Sequence, residues 1–438
     1  MLIVSFSLYI SFKPFYAIIL LLVIIISFVI AIILERMYSH RKQVLLFGIF
    51  ALLMPLFLFK YYDFVNNSLI NKLSLVGLRF YLPGLNWAIP IGLSFFSLQA
   101  LGYILDVYYK RIKSEHDFAS YALFISFFPY IISGPINKSS LILPQIKQER
   151  NQFDYNNVVE GLKLILWGMF MKVTIADRLG LYVNTVLPYH YSYSGSSCLL
   201  AAFLYSIQLY ADFAGYSFMA IGVGKTLGFE ITENFKRPYL AFSVSEFWRR
   251  WHISLSTWLK DYVYIPLGGS RCSKVKTYRN LFLTFLVSGI WHGASWTYII
   301  WGCLHGLFVM TEKAINEQKN HYGLIGTVVK IIITFILICF TRIFSYSSDI
   351  DLSLGVLQRI FNFQDYSSLF IDTHTFFYGI IALSILFFKD FKDEYFPSKI
   401  SIMHNRSSIV RWCGYVVLLV FVLLNGVFDD GSFIYANF

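Results

Sequence analysis

The sequence predicts an all-α, polytopic membrane protein, and three observations carry that prediction. Hydrophobic residues make up 57% of the chain and charged residues only 14%, against about 25% charged in soluble domains. The apolar residues are gathered into runs, many of them near the ~20 residues that a helix needs to cross a ~30 Å hydrocarbon core. Phe (44) and Tyr (31) are frequent, which suits helices with aromatic interfacial belts and an aromatic interior. The formal charge of +11 is read as Lys and Arg of cytoplasmic loops, not as a nucleic-acid footprint. The five cysteines are scattered without a CxxC pair, so no disulfide framework or zinc knuckle is legible.

Ten apolar runs are candidate membrane segments: 15–34, 43–59, 87–109, 118–135, 158–175, 198–223, 281–310, 328–345, 375–388 and 412–428. The first ends in LERMYSHRK and not at a small-residue cleavage site, so it reads as a retained span. Residues 1–12 add a short interfacial piece. No repeat or long linker divides the chain, and residues 1–438 are read as one membrane domain. Arg36, Arg41, Lys42, Lys110, Arg111 and Lys113 mark the first and third loops as cytoplasmic. Loop 136–157 holds Lys138, Lys147 and Arg150, which fits the cytoplasm only if SFFPYIISGPI (126–136) is re-entrant; Pro129, Gly134 and Pro135 break a helix there. Residues 224–280 form the most basic loop, ten Lys or Arg against four Asp or Glu, and are placed in the cytoplasm. Segment 281–310 is read as two shorter helices meeting at WHGAS. That returns 311–327 to the cytoplasm, puts the acidic loop 346–374 (Asp349, Asp351, Asp365, Asp372) outside and 389–411 inside, and leaves the DDGSFIYANF tail outside.

Within the basic loop, a helical wheel gathers Trp248, Trp251, Leu255, Trp258 and Leu259 on one face, with His252 at its edge. Arg249, Arg250, Ser254 and Lys260 lie elsewhere. One reading is an interfacial helix whose arginines touch lipid phosphates; the other is a basic surface holding a phosphorylated donor, such as the nucleotide end of an acyl-CoA. His292 lies well inside an apolar run, beside Trp291 and between Gly289 and Gly293. It is either bonded to a neighbouring helix or a general base in a water-accessible cavity. Asp212, in LYADFAGYS, is a second charge at membrane depth. No HxxxH or HExxH spacing supports a metal site, and no P-loop, GxSxG or GxGxxG occurs in context.

FWRRWHISLSTWLKDYVYIPLGG, the basic linker, YRNLFLTFLVSGIWHGASWTYIIWG and LHG closely resemble the membrane-bound O-acyltransferase (MBOAT) family, in its alginate O-acetyltransferase branch. ISGPI (132–136), LPQI (143–146), LYADFAGYSFMAIGVG (209–224), ENFKRPY (233–239) and FIY (433–435) resemble that branch too. The resemblance implies a many-helix core with a tunnel to a buried histidine. It makes His292 the catalytic residue and His252 the second signature polar residue. Arg249, Arg250, Trp251 and Lys260 become donor-binding residues, with Asp212, Trp291 and Ser254 in support and no bound cofactor or metal. The implied donor is cytoplasmic acetyl-CoA. The implied acceptor is an extracytoplasmic polysaccharide, reached through an SGNH-type acetyltransferase partner, and the implied location is the bacterial inner membrane. Relatives usually carry a further hydrophobic segment ahead of the one matching residues 5–34, and tend to have an acidic residue after GYS where this chain has Phe218. On this topology His252 lies at the cytoplasmic entrance and His292 at membrane depth, well apart. Two competing readings are a teichoic acid D-alanyltransferase and a transporter with a proton-relay histidine; the single occurrence of WRRWH and WHG argues against the paired halves of the latter.

Overall fold

The computed structural model describes residues 1–75, 83–149, 153–315, 323–363, 366, 369–370, 373–396, 403 and 405–428. The tail with its FIY motif, Arg150, Asp365, Asp372 and residues 316–322 of loop 311–327 lie outside the described residues. Among those described, every regular element is a helix, as the apolar composition and absence of alternating runs imply. Within the described residues, five helices are long and apolar enough to cross a membrane: Pro14–Arg36, Arg41–Ser68, Gly195–Thr226, Leu324–Tyr346 and Ser408–Asn425. The chain is a multi-pass membrane protein.

The other apolar runs are assembled from shorter or interrupted pieces. Run 118–135 is a nine-residue helix, Phe118–Ser126, followed by turns through 133. Its broken backbone is buried, and Phe124 O accepts from Gln99 Nε2 (2.8 Å) and Tyr130 Oη (2.6 Å). Such a break is tolerated in an apolar setting because protein donors replace water. Run 158–175 continues through a wide π-type turn, Phe170–Ala176, into Asp177–Val186. A second wide turn spans Phe57–Tyr61. Each of these two turns delivers a lysine, Lys172 or Lys60, to a partner on another helix.

The 32-residue helix Gly195–Thr226 is the central post. It begins at Ser194, whose hydroxyl accepts the Ser197 N–H. It lies against Tyr155–Ala176 closely enough that a Cβ on Gly168 would stand 2.5 Å from Gly215 O. Small residues permit that approach, and packing replaces the hydrophobic drive that lipid removes. At the same crossing Lys172 Nζ meets Asp212 Oδ1 and Asp177 Oδ1, both at 2.7 Å. Asp212 is therefore paired with a lysine of the adjacent helix.

Candidate active site

His292 is the last residue of helix Lys274–His292, whose first turn is capped by Ser273. Gly293 is extended (φ −162°), and Trp296–Ile315 then doubles back. The two helices cross where a Cβ on Gly289 would lie 2.4 Å from Tyr298 O, and one on Gly302 would lie 2.6 Å from Phe285 O. Gly289→Ala must therefore push the pair apart, at about 1–3 kcal/mol for overpacking. Thermal denaturation in detergent should show a lowered Tm, whereas Gly323→Ala, with nothing within 4 Å of its Cβ, should not lower it.

The helix end is fastened from a distance. Lys60 Nζ donates to Trp291 O (2.7 Å), His292 O (3.2 Å) and Ser94 Oγ (3.3 Å), and Tyr61 Oη donates to Ile290 O (2.9 Å). The last three carbonyls of the helix, which lack intrahelical partners, are thus all satisfied from one wide turn. The positive ammonium also lies at the negative end of the helix dipole. The His292 ring is buried; its Nδ1 lies 2.7 Å from Ser288 O. A carbonyl only accepts, so Nδ1 carries the proton, and in the neutral ring Nε2 holds the lone pair.

His252 is not on a continuous helix. The chain forms Val244–Arg250 and Ile253–Leu259, and His252 between them takes φ 46°. A wheel drawn from Trp248 onward assumes one helix, and this left-handed residue breaks it, with the imidazole fully buried in the protein. His252 Nδ1 lies 3.1 Å from Asn234 Oδ1, which also accepts from Ser254 N (3.2 Å) and Ser254 Oγ (2.9 Å). The Ser254 N–H identifies that atom as oxygen, so Nδ1 of His252 donates and its Nε2 likewise keeps the lone pair. Asn234 Nδ2 donates to Ser217 Oγ (3.3 Å), and Ser254 Oγ accepts from Ile136 N (3.0 Å). Four separate stretches, ISGPI, LYADFAGYS, ENFKRPY and WRRWHIS, meet around this one amide.

The ring centroids of His252 and His292 are 6.4 Å apart. The expected separation of the two histidines is not found; both belong to one cluster of rings, a buried chamber of side chains that includes Phe95, Phe213, Trp291 and Trp301. A cavity of about 150 Å³ is lined by Ser254 and, among others, by Gln99, Asn137, Lys138, Thr257 and Tyr262.

The sequence profile of the membrane-bound O-acyltransferases matches residues 5–348, including every residue of this chamber. The chain belongs to the membrane-bound O-acyltransferase family. It is 38% identical over 322 residues to a probable alginate O-acetylase of Pseudomonas syringae pv. tomato, covering 74% of this chain and 61% of that protein. It is 36% identical over 349 residues to a peptidoglycan O-acetyltransferase of Helicobacter pylori, covering 73% and 65%. A teichoic acid D-alanyltransferase of Bacillus subtilis is 28% identical over 309 residues, covering 67% and 75%. The chain thus spans less than two thirds of the first two relatives.

Within this MBOAT fold the donor-side residues are redistributed. Trp251 is fully buried, packed on Phe235, Tyr239 and Phe247, so it is a core residue and not a surface reader of phosphate. Arg250 Nη2 is held by Glu246 Oε1 (2.5 Å) and Glu394 Oε1 (2.9 Å), which leaves it committed to carboxylates of the chain. Arg249 and Lys260 are exposed. The aromatic face expected to lie in the membrane interface packs inward instead, with Trp248, Leu255 and Leu259 buried. His305 is a packing residue: Trp248 Nε1 donates to its Nδ1 (3.1 Å), and its Nε2 lies 3.0 Å from Thr341 Oγ1.

Three chamber residues escaped the sequence reading. Lys60 follows an apolar run and looks like a loop base. Asn234 sits in a motif noted for its resemblance and not for its amide. Arg342 closes run 328–345, where a base reads as an interfacial anchor. Yet Arg342 is 2% exposed, with its guanidinium 4.4 Å over the Trp251 ring. A desolvated cation–π contact contributes about 2 kcal/mol, less than the several kcal/mol it costs to bury an unpaired ion.

Proposed function

We propose that this chain is the membrane O-acyltransferase of a system that acetylates an extracytoplasmic polysaccharide in the bacterial inner membrane. Acetyl-CoA is the cytoplasmic donor, and an SGNH-type acetyltransferase is the partner that completes transfer to sugar hydroxyls. The observation that carries this reading is the pair of buried imidazoles, 6.4 Å apart, each tied at Nδ1 so that Nε2 is basic. His292 Nε2 takes the proton of the acceptor hydroxyl as its oxygen attacks the thioester carbonyl. His252 Nε2 accepts a hydrogen bond and orients the donor. Arg249 and Lys260 supply exposed positive charge to a phosphorylated donor, while Asp212, Trp291 and Ser254 act in support. The names of the alginate and peptidoglycan relatives favour an acetyl group and a glycan over the D-alanyl reading, whose relatives are less similar.

The test is CoA thiol release from acetyl-CoA by the purified protein in nanodiscs, with and without envelope glycan and partner, together with O-acetyl content of surface glycans in cells lacking the gene. Release that depends on acceptor, and loss of O-acetyl groups in the deletion, are expected. Transfer from a D-alanyl carrier protein but not from acetyl-CoA would overturn the proposal. Lys60→Met leaves two terminal carbonyls without their donor and loosens the His292 ring. A fall of about tenfold or more in kcat, with KM for acetyl-CoA little changed, is expected, because misplacement of reacting groups by ~1 Å costs on the order of 100-fold.

A further inference from the structure

Both histidines carry a lone pair at Nε2 and neither, as a neutral ring in these tautomers, offers a donor there. Acyl transfer to a hydroxyl needs a donor, since negative charge gathers on the carbonyl oxygen as the tetrahedral species forms. Arg342 is the group whose own chemistry is unfinished. Among the described residues no carboxylate lies within ion-pair distance of it, and its Nε and Nη2 are buried without a hydrogen-bond partner. The Trp251 face offsets only part of the cost of that burial. A membrane protein that keeps an arginine in this state has a use for an anion there. Its position is also right. Trp251 precedes His252, and Thr341 beside it reaches His305, whose ring is 4.7 Å from Trp301, itself 4.8 Å from His292.

We infer that Arg342 is a further catalytic residue, whose guanidinium donates to the oxyanion formed on the acyl carbonyl during transfer. The inference rests on the acyl-transfer reading above. As His292 Nε2 removes the proton, the acceptor O–H bond breaks and the new O–C bond forms. The carbonyl π pair moves onto oxygen, where Arg342 N–H groups meet it. Collapse restores C=O, breaks the C–S bond, and the thiolate leaves with the proton that His292 returns. The unpaired state of Arg342 makes the developing charge more strongly held than the neutral thioester, which is what lowers a barrier.

Arg342→Met and Arg342→Lys test this in nanodiscs, with acetyl-CoA as donor and envelope glycan as acceptor. Removing one such donor is expected to lower kcat by about 10²–10³-fold, with KM for acetyl-CoA within about threefold, and Lys recovering part of the loss. Because the guanidinium has no acid to lose, the Met variant should melt at the same temperature as the wild type or higher. Three results would overturn the inference: kcat of the Met variant within about fivefold of wild type; a lowered Tm with activity falling only as folded protein is lost; or a raised KM for glycan at unchanged kcat, which would assign Arg342 to a carboxylate of the acceptor. A wild-type protein that transfers nothing from acetyl-CoA fails the underlying reading instead, and is distinguishable from all three.

Discussion

His292→Ala is expected to abolish acetyl transfer while leaving membrane insertion intact. The ring supplies the lone pair that removes the acceptor proton, and general-base catalysis is typically a factor of about 10²–10⁴. Little of the fold depends on it: its Nδ1 bond goes to Ser288 O of its own helix (2.7 Å), and the helix end is held by Lys60 and Tyr61 through main-chain carbonyls. His292→Gln sharpens the test, since an amide can hydrogen-bond but cannot take the proton. Both variants should bind donor normally and fail in kcat. Near-normal turnover of either, in protein of unchanged Tm, would remove the general base from the mechanism.

Asn234→Leu should have the second largest effect, and on two observables at once. Its Oδ1 accepts from His252 Nδ1, Ser254 N and Ser254 Oγ, all buried. Leucine leaves three donors without that acceptor, at about 1–3 kcal/mol for each one left unsatisfied. Tm should fall by many degrees, and the folded remainder should show reduced kcat because His252 loses the bond that sets its tautomer. Asn234→Asp keeps an acceptor but buries a carboxylate beside the imidazole, so it should restore more stability than activity. If Leu and Asp variants lost Tm and kcat in the same proportion, the amide would be structural only.

The membrane class and the broken segments were legible because each depends on local composition. Apolar residues must leave water in stretches long enough to cross lipid, and Pro129, Gly134 and Pro135 interrupt a helix wherever they stand. The wheel drawn from Trp248 onward failed for an equally physical reason. Periodicity presumes regular dihedrals, and a single residue at φ 46° redirects everything after it. His252 was thus expected at an entrance, whereas its ring stands 6.4 Å from that of His292.

The residues that complete the chamber belong to a different level. Lys60 and His292 are 232 positions apart, Asn234 gathers four stretches of chain around one oxygen, and Arg342 closes on Trp251 from another helix. In sequence a lysine or arginine at the end of an apolar run marks a membrane boundary, because a charge is expected to reach for water. Whether that charge instead turns inward is settled by what the packed helices offer it: three acceptors for Lys60, two carboxylates for Lys172, a ring for Arg342. Partition between lipid and water is a property of a segment and can be read from it. The pairing of buried charges is a property of helices meeting, and it came into view only with the packed molecule.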